Sequence, residues 1–160
     1  MFRLRPALEG DDSAIRSLVK EGRINPTGLK WPRFVVAVTR EGEVIGCGQV
    51  KPHRDGSIEL ASLIVTAEWR GRGVAAALIE HLVSAHKKDM YLMCRSSLGA
   101  FYERFGFRSV PETELPPYFR RISRLASLTE IFRKEAETLL VMKRFASEFH
   151  HREHRERGGN

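Results

Sequence analysis

The chain is 160 residues long, 42% hydrophobic and 29% charged, enough for one domain with its own core and too balanced for a disordered segment. Its 27 basic residues exceed the 20 acidic ones, for a net charge of +7. That excess suits an anionic cofactor or acidic substrate, but it is scattered among acids without interleaved aromatics, so no nucleic-acid partner is expected. No apolar run approaches the roughly 20 residues of a membrane helix, and Met1–Pro6 is too polar for a secretory leader. Cys47 and Cys94 stand alone, without metal-ligand spacing, so no metal site, no disulfide and a reducing, cytoplasmic setting are expected.

In chain order, Phe2–Arg5 alternates as a short strand, and Asp11, Asp12 and Ser13 offer an N-cap for a helix whose apolar side is Ile15, Leu18 and Val19. Residues 21–32 hold two glycines and two prolines and predict a loop or broken helix. Phe34–Val38, the Glu41–Glu43 turn and Val44–Val50 predict a hairpin. The His53–Gly56 turn then leads into Ser57–Val65, completing an antiparallel meander. Beyond Val65 the period changes: Val74, Leu78, Leu82, Val83 and His86 predict a helix over 73–88. Met90–Cys94 follows as a buried strand, giving a βαβ unit in a mixed α/β architecture. A short helix over Leu98–Phe105, ended by Gly106, precedes a strand over Phe107–Val110. Residues 118–136 predict one or two helices with Tyr118, Phe119, Ile122 and Leu125 inward, and Thr138–Lys143 a closing strand. Residues 1–148 are read as a single domain and 149–160 as a frayed polar tail.

The chemistry concentrates at Glu68-Trp69-Arg70-Gly71-Arg72-Gly73-Val74-Ala75, between a strand and an amphipathic helix. Two glycines there let successive backbone N–H groups face outward at a helix N-terminus, an anion site suited to a pyrophosphate, with Arg70 and Arg72 adding charge. The spacing is neither that of a Walker loop nor G-x-G-x-x-G. A plain strand-to-helix turn with solvent-facing arginines is the alternative.

Arg70-x-x-Gly73-x-Ala75 after Leu63-Ile64-Val65 resembles the acyl-CoA motif of the GNAT N-acetyltransferase superfamily. Phe101-Tyr102-Glu103-Arg104-Phe105-Gly106-Phe107 resembles that superfamily's second signature, Tyr-x-x-x-Gly-Phe. The resemblance spans residues 2–110 and the strand near 140. It implies a sheet splayed between the fourth and fifth strands and acetyl-CoA as donor. The backbone of Leu63, Ile64 and Val65 would hold the pantetheine arm, and the amides of Gly71–Ala75, Val74 among them, the pyrophosphate. Tyr102 falls where many relatives protonate the departing thiolate, a role a phenol can fill within hydrogen-bond reach; packing beside Phe101 and Phe105 is its other reading.

Glu59 lies near where several relatives place a glutamate that accepts the amine proton through water; a solvent-facing or salt-bridged strand carboxylate is the other reading. His53 is expected as a surface-turn histidine, with a proton relay as its other reading, and the two cysteines are expected as buried fillers. Where the superfamily often has Asn, seven residues before the tyrosine, this chain has Arg95, which suits a substrate carboxylate or solvent. Ile45–Gly48, Glu59–Leu63 and Glu114–Pro116 are similar to the acetyltransferase part of the N-acetylglutamate synthases. Arg120, Arg121 and Arg124, spaced about one helical turn apart, offer guanidinium groups to an acidic substrate or form a solvated face. The implied activity is acetyl transfer to a small primary amine such as an amino acid. A protein or peptide acceptor, or a non-catalytic acyl-CoA-binding module, are the alternatives. The superfamily often dimerises, and the helices of 118–136 offer an interface.

Overall fold

The computed structural model describes residues 1–127 and 138–146. The expected second helix after residue 127 and the polar tail lie outside the described residues. Seven strands are ordered β1-β2-β3-β4-β5-β7-β6 in a mixed sheet, and the chain divides into two compact units, Met1–Lys51 with Leu60–His86, and Pro52–Glu59 with Lys87 onward.

In the first unit β1 (Phe2–Pro6), β2 (Phe34–Thr39) and β3 (Val44–Pro52) form the expected antiparallel meander, with Leu4 opposite Ala37 and Val36 opposite Cys47. The alternation Gly46-Cys47-Gly48 gives β3 two unlike faces. Cys47 joins Phe34, Val36 and Val38 under Ile15, Leu18 and Val19 of α1 (Asp12–Glu21). The glycines leave a hollow for α2 (Val74–Ser84): a Cβ on Gly46 would stand 3.2 Å from Val74 and 3.4 Å from Leu78, and one on Gly48 3.0 Å from Leu82. Helix and strand thus approach more closely than any larger side chain would allow.

Two local expectations are corrected here. The Asp11 carboxylate does not cap α1 but turns back, accepting from the Leu8 amide at 2.7 Å and from both terminal nitrogens of Arg5. And α2 stops at Ser84 instead of 88, because the Leu82 carbonyl is taken by His86 Nδ1 at 2.8 Å, not by the His86 backbone N–H that a further turn would have used.

The second unit contains the start of β4 (Ile58–Val65), β5 (Met90–Arg95), α3 (Gly99–Glu103), β6 (Arg108–Ser109), α4 (Pro117–Ser127) and β7 (Leu139–Arg144). β4 and β5 run parallel and pair at Ile58↔Met90 and Glu59↔Tyr91. β7 lies antiparallel to both β5 and β6, so the closing strand inserts between them. Phe119 of α4 is fully buried against Tyr91, Leu115 and Val141. Leu125, expected inward, is 60% exposed; it stands six residues past Phe119, about 120° around an α-helix from that buried position.

Candidate active site

In the first unit the strand-to-helix turn has the conformation an anion cradle needs. Gly71 and Gly73 adopt φ of +76° and +82°, which favour glycine, and a Cβ at either would meet nothing within 4 Å. Glycine is therefore required by the backbone, not by crowding. Gly73 is the left-handed residue that opens α2, and the first helical bond runs from Ala77 N–H to the Gly73 carbonyl. The amides before Ala77 have no carbonyl partner within the helix and carry the positive end of its dipole. Arg70 donates from Nε to the Val65 carbonyl, and Arg72 lies over the Trp69 ring at 4.9 Å; both remain exposed. The plain-turn alternative and the cradle share this geometry.

Leu63, Ile64 and Val65 follow an irregularity that periodicity did not reveal: Ser62 sits at φ +56° within β4. A non-glycine residue rarely adopts that conformation, and here the surroundings hold it. Gln49 Nε2 donates to Ser62 Oγ at 2.8 Å, and the Cys47 thiol donates to the Ser62 carbonyl.

In the second unit Tyr102 rides on α3, edge-on to Phe101 and Phe107. Burial, and then the neighbouring Cys94, pushes its phenol up to about 12, so it holds its proton at neutral pH. Burial alone raises Cys47 to about 12 and Cys94 to about 11, so both are thiols without nucleophilic character.

Glu59 is 5% exposed, so its other reading holds in the salt-bridged form and not in the solvent-facing one. Its Oε1 lies 2.9 Å from His53 Nε2, and the His53 ring is stacked on Tyr118 with centroids 3.7 Å apart. His53 is thus no surface-turn histidine: its side chain is 11% exposed. The missed signal is Asp55 in the same turn, which accepts from the Tyr118 amide at the start of α4 and docks the turn there. Arg95 is exposed at the end of β5. Arg120 donates from Nη2 to the Leu115 carbonyl at 3.0 Å, and Arg124 pairs with Glu112. Among the described residues no cluster of three metal-ligating side chains occurs, and no helix is long and apolar enough to cross a membrane.

Residues 30–109, half of the chain, match the family model described as an acetyltransferase (GNAT) domain. The chain belongs to the GNAT acetyltransferases. Members of this family use acetyl-CoA as donor. Similar solved structures include N-acetylglutamate synthase from Neisseria gonorrhoeae complexed with coenzyme A and N-acetyl-glutamate (18% identity, TM-score 0.69, 90% of this chain and 35% of that one). Rv2747 from Mycobacterium tuberculosis, in complex with CoA, is similar over 89% of this chain and 98% of its own, at 18% identity and TM-score 0.69. NAA60 from Arabidopsis thaliana, solved with a bisubstrate analogue, aligns over 69% of this chain and 86% of its own, at 19% identity and TM-score 0.58. The chain thus spans about a third of the Neisseria enzyme's length. A search of curated protein sequences finds no match.

Proposed function

We propose that this acetyltransferase transfers acetyl from acetyl-CoA directly to the primary amine of a small molecule, an amino acid with a free carboxylate being the form favoured. The observation that carries the reading is the left-handed turn at Gly71 and Gly73 opening α2, which fits a pyrophosphate. Bound acetyl-CoA supplies an activated acetyl thioester. The amides of Gly71–Ala75 hold its pyrophosphate, with Arg70 and Arg72 contributing charge, and the backbone of Leu63, Ile64 and Val65 holds the pantetheine arm as an added strand would. A backbone N–H of this strand after Ser62 donates to the thioester carbonyl oxygen. Tyr102, neutral at working pH, gives its proton to the departing sulfur. Glu59 supplies the buried negative charge toward which the amine proton leaves.

Arg95, exposed at the end of β5, and Arg120, whose guanidinium retains donors beyond its bond to Leu115, would meet the acceptor carboxylate. The structural neighbour solved with N-acetyl-glutamate supports a small acidic acceptor, and two free buried cysteines support a reducing, cytoplasmic setting. The test is acetyl-CoA turnover against amino acids, polyamines, aminoglycosides and short peptides, with products identified by mass spectrometry. Acetylation of an acidic amino acid is the expected result; acetylation of peptides alone would overturn the small-molecule assignment.

A further inference from the structure

The turn His53–Gly56 is fastened where a loop tip would ordinarily be mobile. Asp55 accepts from the Ser57 amide and hydroxyl and from the Tyr118 amide at the start of α4. His53 is then fixed on three sides: its ring lies flat on Tyr118 at 3.7 Å, edge-on to Phe119 at 5.5 Å, and bonded to Glu59 at 2.9 Å. A carboxylate can only accept a hydrogen bond, so the proton shared with Glu59 sits on Nε2. That fixes the tautomer and leaves Nδ1 as the ring's basic nitrogen.

We infer that His53, oriented by Glu59 and clamped by Tyr118, is the general base of acetyl transfer and takes the amine proton on Nδ1. The inference rests on the acetyltransferase reading above and names a residue for it. Glu59 is then a positioning residue: it holds the ring and balances the imidazolium charge that forms, while His53 meets the acceptor. The step closes in atoms and charge. The acceptor enters as an ammonium and gives one proton to Nδ1, which passes it to solvent. The N–C bond forms, the C–S bond breaks, and the sulfur takes the Tyr102 proton. The second proton lost by nitrogen restores the Tyr102 phenol.

The charged and titratable groups facing the ring are Glu59 from β4, Tyr118 from α4 and Asp55 from its own turn, with Tyr91 behind Phe119. Burial pushes Asp55 up, but the hydrogen bonds from Ser57 and the Tyr118 amide, with His53 nearby, bring it below its ordinary value.

The experiment has two arms. In the full chain with ¹⁵N-labelled histidine, NMR at neutral pH should show His53 protonated at Nε2 and not at Nδ1, and Glu59→Gln should perturb that signal. Protonation at Nδ1 would overturn the inference without any activity measurement. In the second arm, the pH profile of kcat/KM for wild type should fall on its acid limb. His53→Gln should lose that limb and drop kcat/KM by about 10²–10⁴-fold, with acetyl-CoA affinity unchanged by calorimetry as the check on folding. Wild-type turnover with an unaltered profile in His53→Gln would sink the base assignment alone. Absence of turnover by wild type with every amine would instead remove the acetyltransfer reading, and the base with it.

Discussion

Replacing Gly73 by Glu places a carboxylate at the mouth of the cradle, where open space surrounds the backbone. Two effects can be separated. A residue with a Cβ at φ +82° is strained by about 1–2 kcal/mol, a cost to folding that a typical domain stability of about 5–15 kcal/mol tolerates. The second effect is repulsion. One carboxylate about 6 Å from a pyrophosphate with about two negative charges is worth about 1.4 kcal/mol in bulk water and about 5.5 kcal/mol at an effective dielectric near 20. Gly73 is exposed, so the wetter end applies: about 1.5–3 kcal/mol, or about 10- to 150-fold weaker binding. Isothermal calorimetry with acetyl-CoA reads the loss directly. Gly73→Gln carries the same backbone strain without the charge and should bind far better than Gly73→Glu, the gap narrowing as salt is raised. Equal affinity of wild type and Gly73→Glu would refute the pyrophosphate assignment.

The pair between Arg5 and Asp11 sets part of the acid stability. The hydrogen bond from Arg5 holds the Asp11 carboxyl below its ordinary value of 3.8. Its folded pKa lies below the unfolded one, so the stabilisation is complete above about pH 4 and fades as pH falls through the folded pKa. Asp11→Asn should be less stable than wild type at neutral pH in urea unfolding, with the two converging below that range; a constant gap across the range would contradict the linkage. Gly46→Ala should lower stability by about 1–3 kcal/mol by overpacking, since its Cβ would stand 3.2 Å from both the Ile64 carbonyl and Val74. A wild-type urea midpoint would show that β3 and α2 can move apart at no cost.

Much of the architecture was legible because its residues act locally. The meander followed from alternation and turn chemistry, the helix after Gly73 from its 3.6-residue period, and the left-handed turn before it from two closely spaced glycines at that junction. What the sequence hid depends on distant partners. Ser62 gives no propensity signal for a left-handed residue; Gln49 and Cys47, on the adjoining strand, hold it there. His53 has a surface residue's local pattern, and burial comes from Glu59 six residues on and Tyr118 on a helix far along the chain. Asp11 precedes a helix as a capping residue does, yet Arg5 on β1 claims its carboxylate. Leu125 is apolar without being inward, because α4 has one narrow buried stripe centred on Phe119.

The account turns on whether this chain catalyses transfer or only binds acyl-CoA, and Tyr102→Phe decides it most directly. Turnover of wild type and variant should be followed by CoA release under saturating acetyl-CoA, with the affinity of each for CoA measured on the same samples. Loss of the general acid predicts turnover lower by about 10²–10⁴-fold with CoA affinity retained. Equal turnover in the two proteins would leave Tyr102 as an aromatic packed against Phe101 and Phe107 and contradict the mechanism.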